Sequence, residues 1–171
     1  VTWPIYHHGT IGKAKEDLDR AQASLVEPMA EIDGKAYVAV MKGLVTQAAS
    51  AIPGMSIYLS LLFKAMKDAG THEGCIEQIV RLYNTQLYSD EEPRLDDKGR
   101  IRMDELELAP EIQSFVADNW CSVAEDNLDS VTDFEGYRRA FLELHGFEVK
   151  GADYSIDVET DVALRLNTSD V

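Results

Sequence analysis

Residues 36–45 read AYVAVMKGLV, with no charge before Lys42. Side chains of a strand alternate between two faces, so a run this continuous is apolar on both. A strand buried on both faces belongs in a parallel sheet, where helices cover each side. The preceding residues 12–29 place Ala14, Leu18, Ala21 and Leu25 at helical spacing, with Glu16, Asp17, Asp19 and Arg20 on the wet side. Pro28 ends or kinks this helix, and Asp33-Gly34 makes a turn. Helix, turn and apolar strand form half of a β-α-β unit. The expected class is therefore α/β, with a central parallel strand near 36–45 whose neighbours lie upstream of Val1.

In open α/β sheets ligands gather at the carboxyl ends of the strands. Here that end is Leu44-Val45-Thr46. Thr46 offers a hydroxyl and the backbone offers an amide and a carbonyl. The same threonine also suits the N-cap of a short helix over 47–52, and spacing alone favours the cap.

After Pro53-Gly54, residues 55–67 are strongly apolar, with Ile57, Tyr58, Leu61, Leu62, Phe63 and Met66. They read as a core helix, or as one wall of a groove for an apolar chain. A helix capped by Thr71 is expected over 70–88, with Cys75, Ile76, Ile79, Val80, Leu82 and Tyr83 on one face. His72 and Cys75 lie three apart, but no further ligands follow at zinc-like spacing. Residues 89–102 read as a polar excursion, and the offsets in Asp96-Asp97-Lys98-Gly99 are not those of a calcium loop. Helical character returns from Met103. Pro110 suits a first turn, Thr132-x-x-Glu135 reads as a capping box, and Gly146 as a stop.

The charge of −15 argues against nucleic acid or an anionic membrane surface as partner. The two cysteines, Cys75 and Cys121, have no framework spacing, which fits a reduced cytoplasmic setting. No apolar run reaches the length of a membrane span. No G-x-G-x-x-G occurs, the loop on which a dinucleotide pyrophosphate meets backbone N–H groups and a helix N-terminus.

The N-terminal stretch WPIYHHGTIGKAKEDL holds Tyr6, the turn Gly9-Thr10-Ile11-Gly12, then Lys13 and Lys15. An ammonium near a phenol favours the phenolate and makes the phenolic proton transferable. Tyr6 and Lys15 are separated by eight residues, and the glycines break any common helix. Taken alone, this pair is weak as a signal.

Together with KAYVAVMKGLVTQAAS at 35–50, Ala51-Ile52-Pro53, GTHEGCIEQ at 70–78, Gly99-Arg100-Ile101-Arg102 and DFEGYRRAF at 133–141, that stretch resembles the C-terminal portion of the trans-2-enoyl-CoA reductases and FabV-type enoyl-ACP reductases. The likeness runs to Gly151-Ala152-Asp153-Tyr154 and so covers nearly the whole chain. It implies a Rossmann-like, short-chain-dehydrogenase-related fold and NADH-dependent reduction of the C2–C3 double bond of a trans-2-enoyl thioester, carried by CoA or acyl-carrier protein, in fatty acid synthesis. Tyr6 is then the donor to the thioester oxygen, and Lys15 a cofactor contact that biases Tyr6. Leu44, Val45 and Thr46 become nicotinamide contacts. Ser56 stands where the family usually has proline, which bears on the local loop and on chain-length preference. The resemblance also implies a monomer when complete.

With Val1 in place of a methionine and no phosphate loop, the expectation is a single C-terminal fragment over 1–171 whose cofactor-phosphate half lies upstream. Two alternatives stand beside it. One is another Tyr/Lys-type short-chain dehydrogenase, although the spacing in that group is three. The other is a non-catalytic structural or acyl-groove half of such an enzyme.

Overall fold

The structure, a computed structural model, describes residues 7–159. Helix α1 spans Thr10–Ala30 and carries Pro28 inside its last turn. At its start a Cβ on Gly12 would meet the His7 carbonyl oxygen at 1.8 Å, so only glycine allows the chain to turn back so closely. After α1 the chain reaches strand β1, Ala39–Val40. There follow α2 (Gln47–Ser50), α3 (Met55–Asp68), α4 (Cys75–Leu82) with a π-helical turn at Tyr83–Leu87, β2 (Ile101–Arg102), α5 (Pro110–Trp120), α6 (Leu128–Val131) and α7 (Phe134–Leu144).

Strand β1 is parallel, as expected, but shorter than the apolar run that suggested it. Ala39 faces Ile101 and Val40 faces Arg102. Ile101 and Met103 donate their N–H groups to the carbonyls of Val38 and Val40, each at 2.9 Å. The ladder is two residues long because β2 is held between a tight turn at 96–100 and the polar residues that follow. Among the described residues β1 has β2 as its ladder partner, so residues 36–41 are half-buried instead of covered on both faces. The partner, Ile101–Arg102, also lies inside the stretch that reads as polar excursion, yet Ile101 is fully buried, and Met103, where helix was expected, is buried and extends the ladder.

The core is built around α3. Leu59, Leu61, Leu62 and Met66 are buried together with Tyr58, Phe63 and Ala65, and α5 (Ile112, Val116) and α7 (Tyr137) pack against them. A helix that is apolar all round is stable only when surrounded in this way. Residues 55–67 are therefore the core helix that the sequence suggests, with Phe63 reaching the surface cleft described below.

Two helix starts differ from expectation. Gly70, with φ +69°, closes α3, and Thr71 donates its N–H to the Met66 carbonyl at 2.8 Å. Thr71 thus completes the end of α3 and does not cap α4, which begins at Cys75. At α7 the cap is Asp133, which accepts from the Gly136 N–H at 3.0 Å, while the Thr132 hydroxyl bonds back to the Leu128 carbonyl. The acidic side chain is one residue better placed than the threonine for the open N–H groups. Pro110 opens α5, and Gly146 (φ +78°) closes α7 with Phe147 donating to Leu142, both as expected.

Candidate active site

The segment leaving β1 runs Met41-Lys42-Gly43-Leu44-Val45-Thr46. Leu44 and Val45 line an open cleft of about 480 Å³ whose other walls include Phe63 from α3, residues 72–77 and the C-terminal end of α7. The cleft thus lies beyond the carboxyl end of a parallel strand, where α/β folds collect ligands. Thr46 accepts the Ala49 N–H at 3.1 Å and caps α2. The cap reading is thereby correct for this residue, and its hydroxyl remains next to the cleft segment.

The part of the lining formed by residues 72–77 is polar and braced. Arg81 holds Glu73 bidentately at 2.6 and 2.9 Å, bonds the Met103 carbonyl at 2.9 Å and also reaches Glu105. This fork keeps residues 71–74 out of helical conformation and fixes Glu73 at the cleft. His72 packs edge-on to Phe63 with ring centroids 4.3 Å apart. Burial lowers its pKa to about 4, and the nearby charges of Lys42 and Lys67 add to that shift. The imidazole is neutral at pH 7. Cys75 lies beside Val45, its sulfur 3.9 Å from the Val45 carbonyl.

Behind the cleft segment is a buried polar group that sequence reasoning missed. Glu107 accepts the Gly43 N–H at 2.5 Å and the Tyr58 hydroxyl. Gln113 donates to the Glu107 carbonyl at 2.8 Å. Lys42 is 4% exposed and donates to the Gly43 carbonyl at 3.0 Å. Burial holds Lys42 below the ordinary lysine value, with Glu107 and Glu73 pulling the other way. Burial and Glu107 hold the Tyr58 phenol well above the ordinary tyrosine value, so it remains a hydroxyl donor. Glu107 gives no sequence signal, since in Glu105-Leu106-Glu107-Leu108 it alternates with apolar residues as a solvated position would. Lys42 reads only as the charge that ends an apolar run.

Of the remaining sequence candidates, Lys15 is exposed in the second turn of α1 and is not among the residues lining the cleft. Tyr6 lies outside the described residues. Of the expected site residues the structure thus places Leu44 and Val45 at the cleft and Thr46 beside them as the cap of α2, and Lys15 does not line the cleft.

The family model described as "Trans-2-enoyl-CoA reductase catalytic region" matches residues 1–88, just over half of the chain. The chain belongs to the trans-2-enoyl-CoA reductase family. A relative from Saccharophagus degradans named enoyl-[acyl-carrier-protein] reductase [NADH] is 55% identical over 97% of this chain and 42% of its own length. Two solved trans-2-enoyl-CoA reductases superpose on it. That of Clostridium acetobutulicum in complex with NAD has a TM-score of 0.87 at 42% identity, over 92% of this chain and 41% of that one. That of Treponema denticola in complex with NAD has a TM-score of 0.83 at 45% identity, over 92% and 39%. The likeness to trans-2-enoyl-CoA reductases and FabV-type enzymes read from the motifs is thus correct, and so is the Rossmann-like class. The chain spans about two fifths of the length of these relatives.

A second family model, described as "Enoyl reductase FAD binding domain", matches residues 95–158. In this member of the family those residues pack α5 and α7 onto α3 and lend the cleft only Ala140, Glu143 and Leu144. They contain no glycine-rich phosphate loop. They do not fit a flavin dinucleotide.

Proposed function

We propose that this chain forms the nicotinamide-facing and proton-donating part of an NADH-dependent reductase of trans-2-enoyl thioesters. The observation that carries the proposal is the cleft: Leu44 and Val45 line it just past a parallel strand, in a chain that belongs to the trans-2-enoyl-CoA reductase family. The apolar part of its lining, Leu44, Val45 and Phe63, suits a nicotinamide ring, and the backbone at 44–46 has groups for the carboxamide. Relatives named for NADH, and solved neighbours titled as complexes with NAD and NADH, support the choice of cofactor. The pyrophosphate needs a loop that this sequence lacks. In the proposed enzyme it is held by the portion upstream of residues 1–171, which act as one C-terminal unit.

When bound, NADH supplies the reducing equivalent to the β carbon of the enoyl thioester. Negative charge then develops on the thioester oxygen, and Tyr6 donates to it, as oxyanion donors do in other acyl sites. Lys15 contacts the nicotinamide ribose and biases the Tyr6 proton. Leu44, Val45 and Thr46 hold the ring, with Leu44 and Val45 excluding water from one side. The neutral His72 adds no charge to the cleft at pH 7. CoA or acyl-carrier protein carries the acyl group, and the enzyme works in the cytoplasm as a monomer. Named relatives include both kinds of carrier.

The test is Tyr6→Phe in the full-length enzyme, assayed as crotonyl-CoA-dependent NADH oxidation. Losing one well-placed oxyanion donor costs about 3–4 kcal/mol, or ~10²–10³ in kcat. NADH binding should change little, since the hydroxyl acts in the transition state. A variant that keeps more than about a third of wild-type kcat, with chemistry rate-limiting, has lost under ~1 kcal/mol and removes Tyr6 from the role.

A further inference from the structure

Gly43 joins β1 to the cleft segment, and both of its polar backbone groups are held by buried charged side chains. Its N–H donates to Glu107 Oε2 at 2.5 Å, and its carbonyl accepts from Lys42 Nζ at 3.0 Å. A glycine has the widest choice of backbone angles, so a strand exit built on glycine is oriented only by what grips it. The grip is anchored in the core. The other oxygen of Glu107 takes the hydroxyl of Tyr58, which is 4% exposed on α3, and Gln113 of α5 bonds the Glu107 carbonyl. There is no slack at the site, because a Cβ on Gly43 would stand 3.1 Å from Leu59 Cδ2 and 3.5 Å from both Glu107 oxygens. The carboxylate therefore reaches across from the loop before α5 to set the Lys42–Gly43 peptide plane, and Lys42 holds the next one, which leads into Leu44.

We propose that Glu107 is a positioning residue for the cofactor: by accepting the Gly43 N–H it orients the Leu44–Val45–Thr46 backbone for the nicotinamide end of NADH. This rests on the assignment of those three residues to the nicotinamide. Glu107 touches neither cofactor nor substrate and acts through Gly43.

Reach and charge can be separated by two substitutions. Glu107→Asp keeps the charge beside Lys42 and withdraws the carboxylate by one methylene from Gly43. Glu107→Gln keeps the reach and loses the charge: its amide oxygen takes the Gly43 N–H, and its NH₂ turns to the Tyr58 oxygen, which accepts it. The measurements are NADH KM and kcat with crotonyl-CoA, NADH Kd by fluorescence titration, and melting temperature, all in the full-length enzyme. Loss of a buried hydrogen bond to a charged group predicts a rise of about tenfold or more in NADH KM and Kd for E107D, with kcat less affected. E107Q should stay within about twofold of wild type in both constants. If Glu107 serves only as a counter-charge for Lys42, the order reverses, with E107Q impaired and E107D near wild type, and the proposal is overturned. E107D with unchanged NADH constants also overturns it. Should E107D not fold, E107Q decides: a rise above about twofold in the folded protein rejects the proposal. A wild-type enzyme with no enoyl-thioester-dependent NADH turnover would instead reject the functional reading on which this one stands.

Discussion

His72 sits in the cleft wall as a neutral imidazole with a pKa near 4, chiefly because it is buried. The unfolded chain binds that proton nearer pH 6.5, so between about pH 6.5 and 4 the unfolded state carries more protons. Stability should therefore fall as the pH is lowered through this window and should be complete above it. His72→Gln should flatten the dependence of melting temperature on pH there, and an unchanged slope would show that other groups set it. Thr46 has one structural contact, the cap on α2, and one proposed role. Thr46→Ala should cost about 1 kcal/mol through loss of the cap on α2, and should raise the NADH KM in the full-length enzyme. Thr46→Ser keeps the hydroxyl and should restore both, so an alanine variant that melts like wild type would remove the cap from the ledger. For Lys15, alanine substitution should raise NADH KM and lower kcat. Lys13→Ala should be mild, because Lys13 faces elsewhere on α1 and its pair with Glu16 at 2.7 Å is exposed. Equal effects of the two lysine variants would count against Lys15 as a cofactor contact. At this scale the sequence shows residues whose role follows from a local position, such as Thr46 at a strand end. Lys42 and Glu107 are not legible in the sequence: the partners of Glu107 lie 64 and 49 residues away, and no local pattern marks a lysine or glutamate for burial.

Among the elements, α3 carries the fold. Leu61 and Leu62 are essentially unexposed, and truncating either to alanine should cost about 2–5 kcal/mol. Ile76 on α4 is 70% exposed, and Ile76→Ala should stay within about 0.5 kcal/mol. Equilibrium denaturation of the three variants checks both statements, and similar losses at Leu61 and Ile76 would mean that α3 is not the centre of the core. This contrast also marks what periodicity can tell. The apolar pattern of 55–67 fits a core helix or a groove wall, and the structure shows a surrounded helix whose Phe63 also lines the cleft. In α4 the apolar face at Ile76, Ile79 and Val80 is the exposed one in the described chain, while Gln78 is buried. Periodicity identified the helix there, but not which side is covered. The start of α4 was hidden for a different reason. Thr71 looks like a cap in sequence, yet its N–H belongs to the end of α3, and Arg81 holds Glu73 in the intervening segment from a later turn. The short β1–β2 ladder was half legible. The apolar run announced a parallel strand, but its partner lies behind a polar turn held by Asp96 and Arg100.

At the scale of the molecule, the chain spans 42% of the length of its S. degradans relative and has no phosphate-cradling glycine loop. The isolated 171-residue chain should therefore fail to bind NADH at micromolar concentration even when folded, which a nucleotide fluorescence titration will show. Micromolar binding by the chain alone would mean that its own residues hold the pyrophosphate. The proposed activity is reduction of the double bond of an enoyl thioester with NADH by the full-length enzyme containing this chain. The most direct measurement is NADH oxidation in the presence of crotonyl-CoA, with the product identified by mass. The expected result is one saturated acyl-CoA formed for each NADH consumed, and no NADH consumption with ketones in place of the thioester. NADH oxidation that does not depend on the enoyl thioester, or that yields an alcohol from a ketone, would contradict it.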